Sequence, residues 1–411
     1  MHKLLAMGLT LVSVHLAWAD NWPAWRGPKG TGISEEAQAP LHWSSTENVK
    51  WKAKVPGPGN STPIVWKDRV FVTCAENGGA QCSLICFDRT SGAELWKRKV
   101  PAPIKQLTHE TNPYCSSSPV TDGKAVYVWH DSAGFFSYDL DGNELWRKDL
   151  GKFEHIWGTA SSPVLYQDLV ILSAGPGLNT FLLAMKKDTG EEVWRITPPG
   201  ATSKKVDEYR GSWSTPVLWE SDRETQLIVS MPERLYALEP ETGKTVWWCE
   251  GLGDLCYTSP LVTKEIIVAM SGFHGPAMAV RTGGRGDVTK THRLWLHEAK
   301  NLLPQRVGSG VIVGEHIYIL NEPGIAWCLD LKTGEKQWEK RLTGRSWTSM
   351  VTAAGRIYTT TERGDTVVIA PNPNECVVLA ENKVPELTRA SLAVSDGQIF
   401  QRTYEHLYCF E

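Results

Sequence analysis

Residues Cys328–Trp338 read CLDLKTGEKQW. A small residue stands between the apolar Trp327 and Leu329, an acid follows at Asp330, Thr333-Gly334 forms a turn, and Trp338 closes the string. A short acid before Thr-Gly suits a tight turn, because its carboxylate bonds the backbone N–H groups that follow. The question is whether such a string is a ligand box or a piece of scaffold, and its relatives along the chain decide. The small residue and the acid recur as ICFD (Cys86, Asp88), FSYD (Ser137, Asp139), YALE (Ala237, Glu239) and YCFE (Cys409, Glu411). LAMK (Ala184) and MAVR (Ala279) keep the small residue and lose the acid. The closing tryptophan recurs at Trp96, Trp146, Trp194, Trp247 and Trp295. One cofactor cannot touch so many periodic positions, so the string is scaffold.

A second marker alternates with the first. It is a Ser/Thr-Pro-apolar step at Pro63, Pro119, Pro163, Pro216 and Pro260, with weaker copies at Gly310, Met350 and Leu392. The eight copies lie 40 to 56 residues apart. Each unit parses as four short strands of alternating apolar residues separated by Gly, Asn, Asp and Pro. Strand A holds the Ser-Pro step, strand B follows a turn, strand C carries the small residue and strand D the tryptophan. Four strands repeated at this period make a propeller blade. The expected fold is therefore all-β, an eight-bladed β-propeller of four-stranded antiparallel blades. The eighth unit stops after strand C. ENVKWKAKVPG near the start, with Trp51 at the tryptophan position, supplies its missing strand and hides two open edges. The competing count is seven blades and an appendage, because the seventh unit has no tryptophan. Trp51, Trp96, Trp146, Trp194, Trp247, Trp295 and Trp338 are expected to dock across blade interfaces over the Thr-Gly turns, each indole N–H on a backbone acceptor.

The totals agree with this parse. The chain has 411 residues, rich in Trp (19), Gly (36) and Pro (24), with a net charge of -3 that gives no basic field for nucleic acid. Residues 1–19 resemble a secretory signal peptide: Lys3, an apolar stretch, then Ala17-Trp18-Ala19 as a cleavage site. A short membrane anchor is the competing reading of that stretch, and no later segment is long and apolar enough to span a bilayer. The organisation expected is a signal peptide (1–19), an N-terminal extension (20–47) and one propeller domain (48–411). The product is a monomer exported to the periplasm or beyond. An oxidising compartment permits disulfides among the nine cysteines. Cys74 with Cys82, and Cys249 with Cys256, flank short hairpins and are candidate pairs. Cys86, Cys328 and Cys409 take the strand C slot as small buried hydrophobes. Two Arg-Gly-Asp triplets, at Arg285 and Arg363, are expected in turns. No CxxC or paired-His spacing marks a metal.

Small-apolar-Asp-x-x-Thr-Gly-x-x-x-Trp together with Ser-Pro-Val strands resembles the tryptophan-docking repeat of the pyrroloquinoline-quinone (PQQ)-like propellers. The resemblance covers Trp51 to Glu411. That superfamily includes quinoprotein alcohol dehydrogenases and the propeller subunit of the outer-membrane β-barrel assembly machinery. The leader NWPAWRGPKGTGIS and the segments YCSSSPVTDGKAVYV, IWGTASSPVL and IFQRTYEHLYC are similar to exported propellers of this group that carry no established activity. The resemblance implies fold more than function, since members with and without the cofactor share the repeat.

A quinoprotein dehydrogenase needs a stacking Trp, cations for the quinone carboxylates, calcium with oxygen ligands and an Asp base. Dehydrogenases of the family usually cover the quinone with a disulfide between adjacent cysteines. This chain has no Cys-Cys pair; Cys115 in YCSSS is the nearest approach. The channel should be ringed by the residues three before each marker: Asn60, Ser116, Ala160, Trp213, Tyr257, Val307, Trp347 and Arg389. Trp213, Tyr257 and Trp347 would form a stacking surface or plug the channel. The non-repeating loops add ligand-face candidates: His109, Glu110 and Asn112, His155, Arg210, Gln305 and Arg306. Glu110 and Asn112 have calcium-binding chemistry, and His109 and His155 are candidates to face each other across neighbouring blades. The leading expectation is a non-catalytic module, with no cofactor, that binds a protein or polymeric ligand through one face. The alternative is a PQQ- and calcium-dependent dehydrogenase of alcohols, sugars or a polymer. A glycan-binding propeller using exposed tryptophans is a third reading.

Overall fold

A computed structural model describes residues 21–102, 107–298 and 305–411. The signal-peptide reading of residues 1–19 lies outside them. Eight antiparallel sheets follow one another in chain order, seven of them running A-B-C-D. Blade 1, for example, is Ile64–Trp66, Arg69–Glu76, Gln81–Asp88 and Glu94–Pro101. In blade 8 the strands Ala393–Ser395, Gln398–Arg402 and His406–Phe410 are joined by Val49–Lys54 in the D position. Trp51 there pairs with Cys409, so the ring has eight blades and closes end to end.

The register explains the repeated string. Cys328 lies directly opposite Trp338, and the strand bulges immediately after it. The same pairing and bulge recur at Cys86–Trp96, Ser137–Trp146, Ala184–Trp194, Ala237–Trp247 and Ala279–Trp295. A small residue is needed there because its cross-strand neighbour is an indole. Blade 7 inverts the sizes, with Val368 opposite Ala380, so it can lack the tryptophan. Six of the seven indoles then bond the next blade. Trp51, Trp96, Trp146, Trp194, Trp295 and Trp338 donate Nε1–H to the carbonyls of Arg89, Leu140, Lys187, Pro240, Leu331 and Asn372. The turn glycine lies under the ring: at Gly190 (φ +69°) a Cβ would come within 2.6 Å of Trp146. Trp247 differs and bonds Gln226 Oε1 within its own blade. In blade 5 a longer C–D connection replaces the turn, and its Gly286–Asp287 strand pairs in parallel with Trp247 and Trp248. The first Arg-Gly-Asp triplet is therefore part of a fifth strand on blade 4, not a turn. The second lies in a turn as expected.

The Ser-Pro marker has its own reason. Ser118, Ser162, Thr215, Ser259, Ser309, Ser349 and Ser391 each accept, through the hydroxyl, a backbone N–H from the preceding blade. These bonds form a buried hydroxyl belt that links seven of the eight joins. At the eighth join, between blades 8 and 1, Thr62 Oγ1 has no partner. Two arginines span it instead. Arg89 donates to Gln398 Oε1 and the Ser395 carbonyl, and Arg402 to Ser61 Oγ.

The two candidate cysteine pairs are not bonded. All nine cysteines are free. Cys74 pairs with Ser83, and Cys82 with Ala75, so the two thiols point to opposite faces of the sheet. Cys249 packs against Met278, while Cys256 contacts the Met231 carbonyl. Cys86, Cys328 and Cys409 are buried thiols, and burial pushes all three up, to about 12, 11 and 12 respectively.

Candidate functional site

The D–A and B–C loops gather on one face around the central channel. They enclose a cavity of about 370 Å³. All eight ring positions, Asn60, Ser116, Ala160, Trp213, Tyr257, Val307, Trp347 and Arg389, line it. Their spacing is the reason: each starts strand A, and the A strands surround the axis. Of the loop candidates, His109, Asn112 and Gln305 also line it.

The walls are built from below. Gly211–Ser212 runs parallel to Leu255–Cys256, which sets Trp213 beside Tyr257. Their rings meet edge-on, 5.3 Å apart at 78°. Trp157 and Trp213 are inclined at 61°, and Tyr209 meets Trp157 at 84°. Tyr209, Trp157, Trp213 and Tyr257 thus form a herringbone along one wall, with Trp347 apart from it under Arg389. Gly272 must lack a side chain, since a Cβ would approach the Tyr257 ring to 2.1 Å. Burial raises the Tyr257 hydroxyl out of reach of physiological ionisation. Tyr209 and Phe273 remain exposed, at 60% and 51%.

The opposite wall is polar and already paired. Arg389 lies over Trp347, donates to Tyr404 Oη at 2.6 Å and is salt-bridged to Glu362. Arg345 pairs with Glu322 at 2.7 Å. Tyr404 Oη donates to Asn60 Oδ1. Asn112 Oδ1 accepts from Ser116 Oγ and Asn60 Nδ2, while its amide donates to the Trp157 and Thr159 carbonyls. Both asparagine oxygens are therefore engaged.

The remaining candidates fall elsewhere. His155 is buried behind Trp213, with Nε2 on the Glu208 carbonyl, and burial lowers its pKa. His109 Nδ1 pairs with Thr111, so the two histidines do not bond each other. Glu110 is exposed, and its carbonyl accepts from Arg389. Arg210 forms an outer ion network with Asp254 and Glu233. Arg306 is not on the ligand face. It is buried, placed over the Trp327 ring of blade 6 and bonded to the Gly275 carbonyl of blade 5.

The N-terminal leader contributes what the loop reading missed. Trp22 bonds Val65 of blade 1, Pro23 accepts from Thr121 of blade 2, and Gly32 and Ser34 bond Thr352 of blade 7. The leader so crosses the far mouth of the channel, and Trp25 reaches the cavity from that side. Arg26 anchors it. Its buried guanidinium donates to the carbonyls of Thr31 and Gly310, and burial lowers its pKa to about 9. The cavity is a cup, open at the loop face and floored by the leader.

A family model described as "Outer membrane protein assembly factor BamB" matches residues 33–177, 78–221 and 178–411. The chain belongs to this PQQ-like β-propeller repeat family. A 1-butanol dehydrogenase (quinone) from Thauera butanivorans is 24% identical over 290 residues, 63% of this chain. That alignment spans only 42% of the dehydrogenase. Among solved structures, BamB from Moraxella catarrhalis superposes with a TM-score of 0.64 at 15% identity, over 88% of this chain and 97% of its own. Quinohemoprotein alcohol dehydrogenase from Comamonas testosteroni gives 0.68 at 12% identity, over 95% and 80%. At such identities the structures speak for the fold alone.

The quinoprotein dehydrogenases that share this repeat hold PQQ and calcium, and the cations and carboxylates of this cavity are engaged with each other instead. A tricarboxylate quinone needs uncommitted cations, but Arg345 and Arg389 are already neutralised by Glu322 and Glu362. Calcium takes six to eight oxygens, several of them carboxylate. Among the described residues no three acidic, His or Cys ligands gather in the cavity, and Glu322 there and Glu362 beside it both face Arg345.

Proposed function

We propose that this propeller is a non-catalytic binding module whose loop face captures one protruding group of a polymeric ligand, a polypeptide first. The observation that carries the reading is the floored aromatic cup. About 370 Å³ is room for one large side chain or one sugar ring at a time, at the small end of the range of ligand pockets. Exposed Tyr209 and Phe273 extend the apolar surface beyond the cup, as aromatic anchors of interfaces do. Paired Arg345 and Arg389 give the rim polarity without a strong net charge. Export to the periplasm as a monomer completes the proposal, supported by the outer-membrane wording of the family description. Among the described residues no helix is long and apolar enough to cross a membrane.

Immobilised peptide and glycan panels test the reading. The expected outcome is saturable binding that Tyr209→Ala, Phe273→Ala and Arg345→Ala each weaken about tenfold. The outer-edge control Arg285→Ala should leave it unchanged. Failure to hold any of the panel, or retention unaffected by the three substitutions, contradicts it. Glycan preference over peptide would select the sugar-binding form. The quinoprotein reading keeps one favourable observation, an aromatic cavity at the channel mouth, and it predicts turnover.

A further inference from the structure

Away from the cup, between blades 1 and 2, lies a cluster that the binding reading does not use. Cys82 opens strand C of blade 1, Cys115 lies in the loop that enters blade 2, and His130 follows strand Ala125–Trp129. All three are buried, and one ligand atom from each lies within 4.8 Å of the others. Neither ring nitrogen of His130 has a hydrogen-bond partner, although the side chain is only 1% exposed. An imidazole always carries at least one N–H or lone pair that wants a partner, and leaving both nitrogens bare in the interior costs about 1–3 kcal/mol per group. The neighbouring acid, Asp131, does not answer it, because its carboxylate is taken by Thr159.

We propose that Cys82, Cys115 and His130 bind a divalent cation of the zinc class. Soft thiolates with imidazole are a zinc donor set. Zinc–sulfur bonds of about 2.3 Å place two sulfurs about 3.8 Å apart in a tetrahedron, a separation this cluster can meet with little movement. Charge selects the ion as well. Two thiolates cancel a divalent charge, so the buried complex is neutral, whereas a monovalent ion would leave one negative charge uncompensated. Binding forms two Zn–S bonds and one Zn–N bond, retains one water of the hydrated ion in the fourth position while the other waters leave, and releases two thiol protons to solvent. In the thiol form Cys115 Sγ–H donates to the Cys74 carbonyl at 3.1 Å, a contact given up on metal binding. Buried as it is, the ion enters as the blades close, and affinity rises with pH as the protons leave.

The rival use of the two sulfurs is a disulfide, which would leave His130 unsatisfied. The test uses the full exported chain. Metal analysis should find about one zinc per chain. Cobalt(II) exchange should give tetrahedral d–d bands and a thiolate-to-cobalt charge-transfer band. Cys82→Ser and Cys115→Ser should lose the charge-transfer intensity, and His130→Gln should weaken zinc about tenfold or more. Cys376→Ser, at a half-exposed thiol outside the cluster, should change nothing. Should a cluster variant misfold, the wild-type cobalt spectrum decides alone. A spectrum without thiolate charge transfer, or a Cys82–Cys115 disulfide found by non-reducing peptide mapping, overturns the proposal.

Discussion

Cys328 and Trp338 face each other across two strands, and the size of one is set by the other. The consequence is measurable where the slot is tightest. Ala184→Leu would push a branched side chain against Trp194, and we expect about 1–3 kcal/mol of destabilisation in urea melts. Trp146→Ala should cost about 3–5 kcal/mol, since it empties an interface and orphans the Lys187 carbonyl. Asp330 illustrates the gentler contributions. Burial works against its charge, but the Thr333 and Lys332 amides and the Thr333 hydroxyl hold the carboxyl below its usual range. These roles were legible in the sequence because they repeat. The hydroxyl of the Ser-Pro marker was visible as a letter, but its partner was not, since that partner lies one blade away. Ser162→Ala should cost about 1–3 kcal/mol, the penalty of an unpaired buried N–H.

The closing strand Val49–Lys54 is the element on which the ring depends. Its Lys52 joins Glu386, which also accepts from Thr403, Tyr408 and His406. Burial disfavours the charge of Glu386, yet these donors outweigh it and hold the carboxyl down at about 2. A carboxyl whose folded pKa is depressed stabilises fully above its unfolded pKa of about 4.3. That contribution fades as pH falls toward 2. The stability gap between wild type and Glu386→Gln should therefore be largest near neutrality and shrink below about pH 4.5, as read by urea midpoints across the range. A gap independent of pH would show that the network does not act through this carboxylate. The closure itself could be anticipated, because the last unit lacked a strand and the first segment had one to spare. The extra strand on blade 4 could not, since two residues of parallel pairing leave no periodic trace.

At the scale of the whole molecule, the eight-membered channel ring followed from the marker spacing alone. The burial of Arg306 and the edge-on packing of Trp213 against Tyr257 did not, because both depend on neighbours distant in sequence. The sequence marks residues 20–47 only as an N-terminal extension, yet Trp25 lines the cup and Arg26 anchors the leader beneath it. Arg26→Ala should lower stability by about 2–3 kcal/mol, as its carbonyl partners lose their donor, and should loosen the floor. Limited proteolysis within residues 27–36 would report that release. The central claim is that this cup recognises a ligand without quinone chemistry. Its most direct test is titration of the purified protein with PQQ and calcium, followed by dye reduction over alcohols and sugars. The account predicts no saturable quinone complex and no reduction; a one-to-one complex that turns over any of these substrates would contradict it.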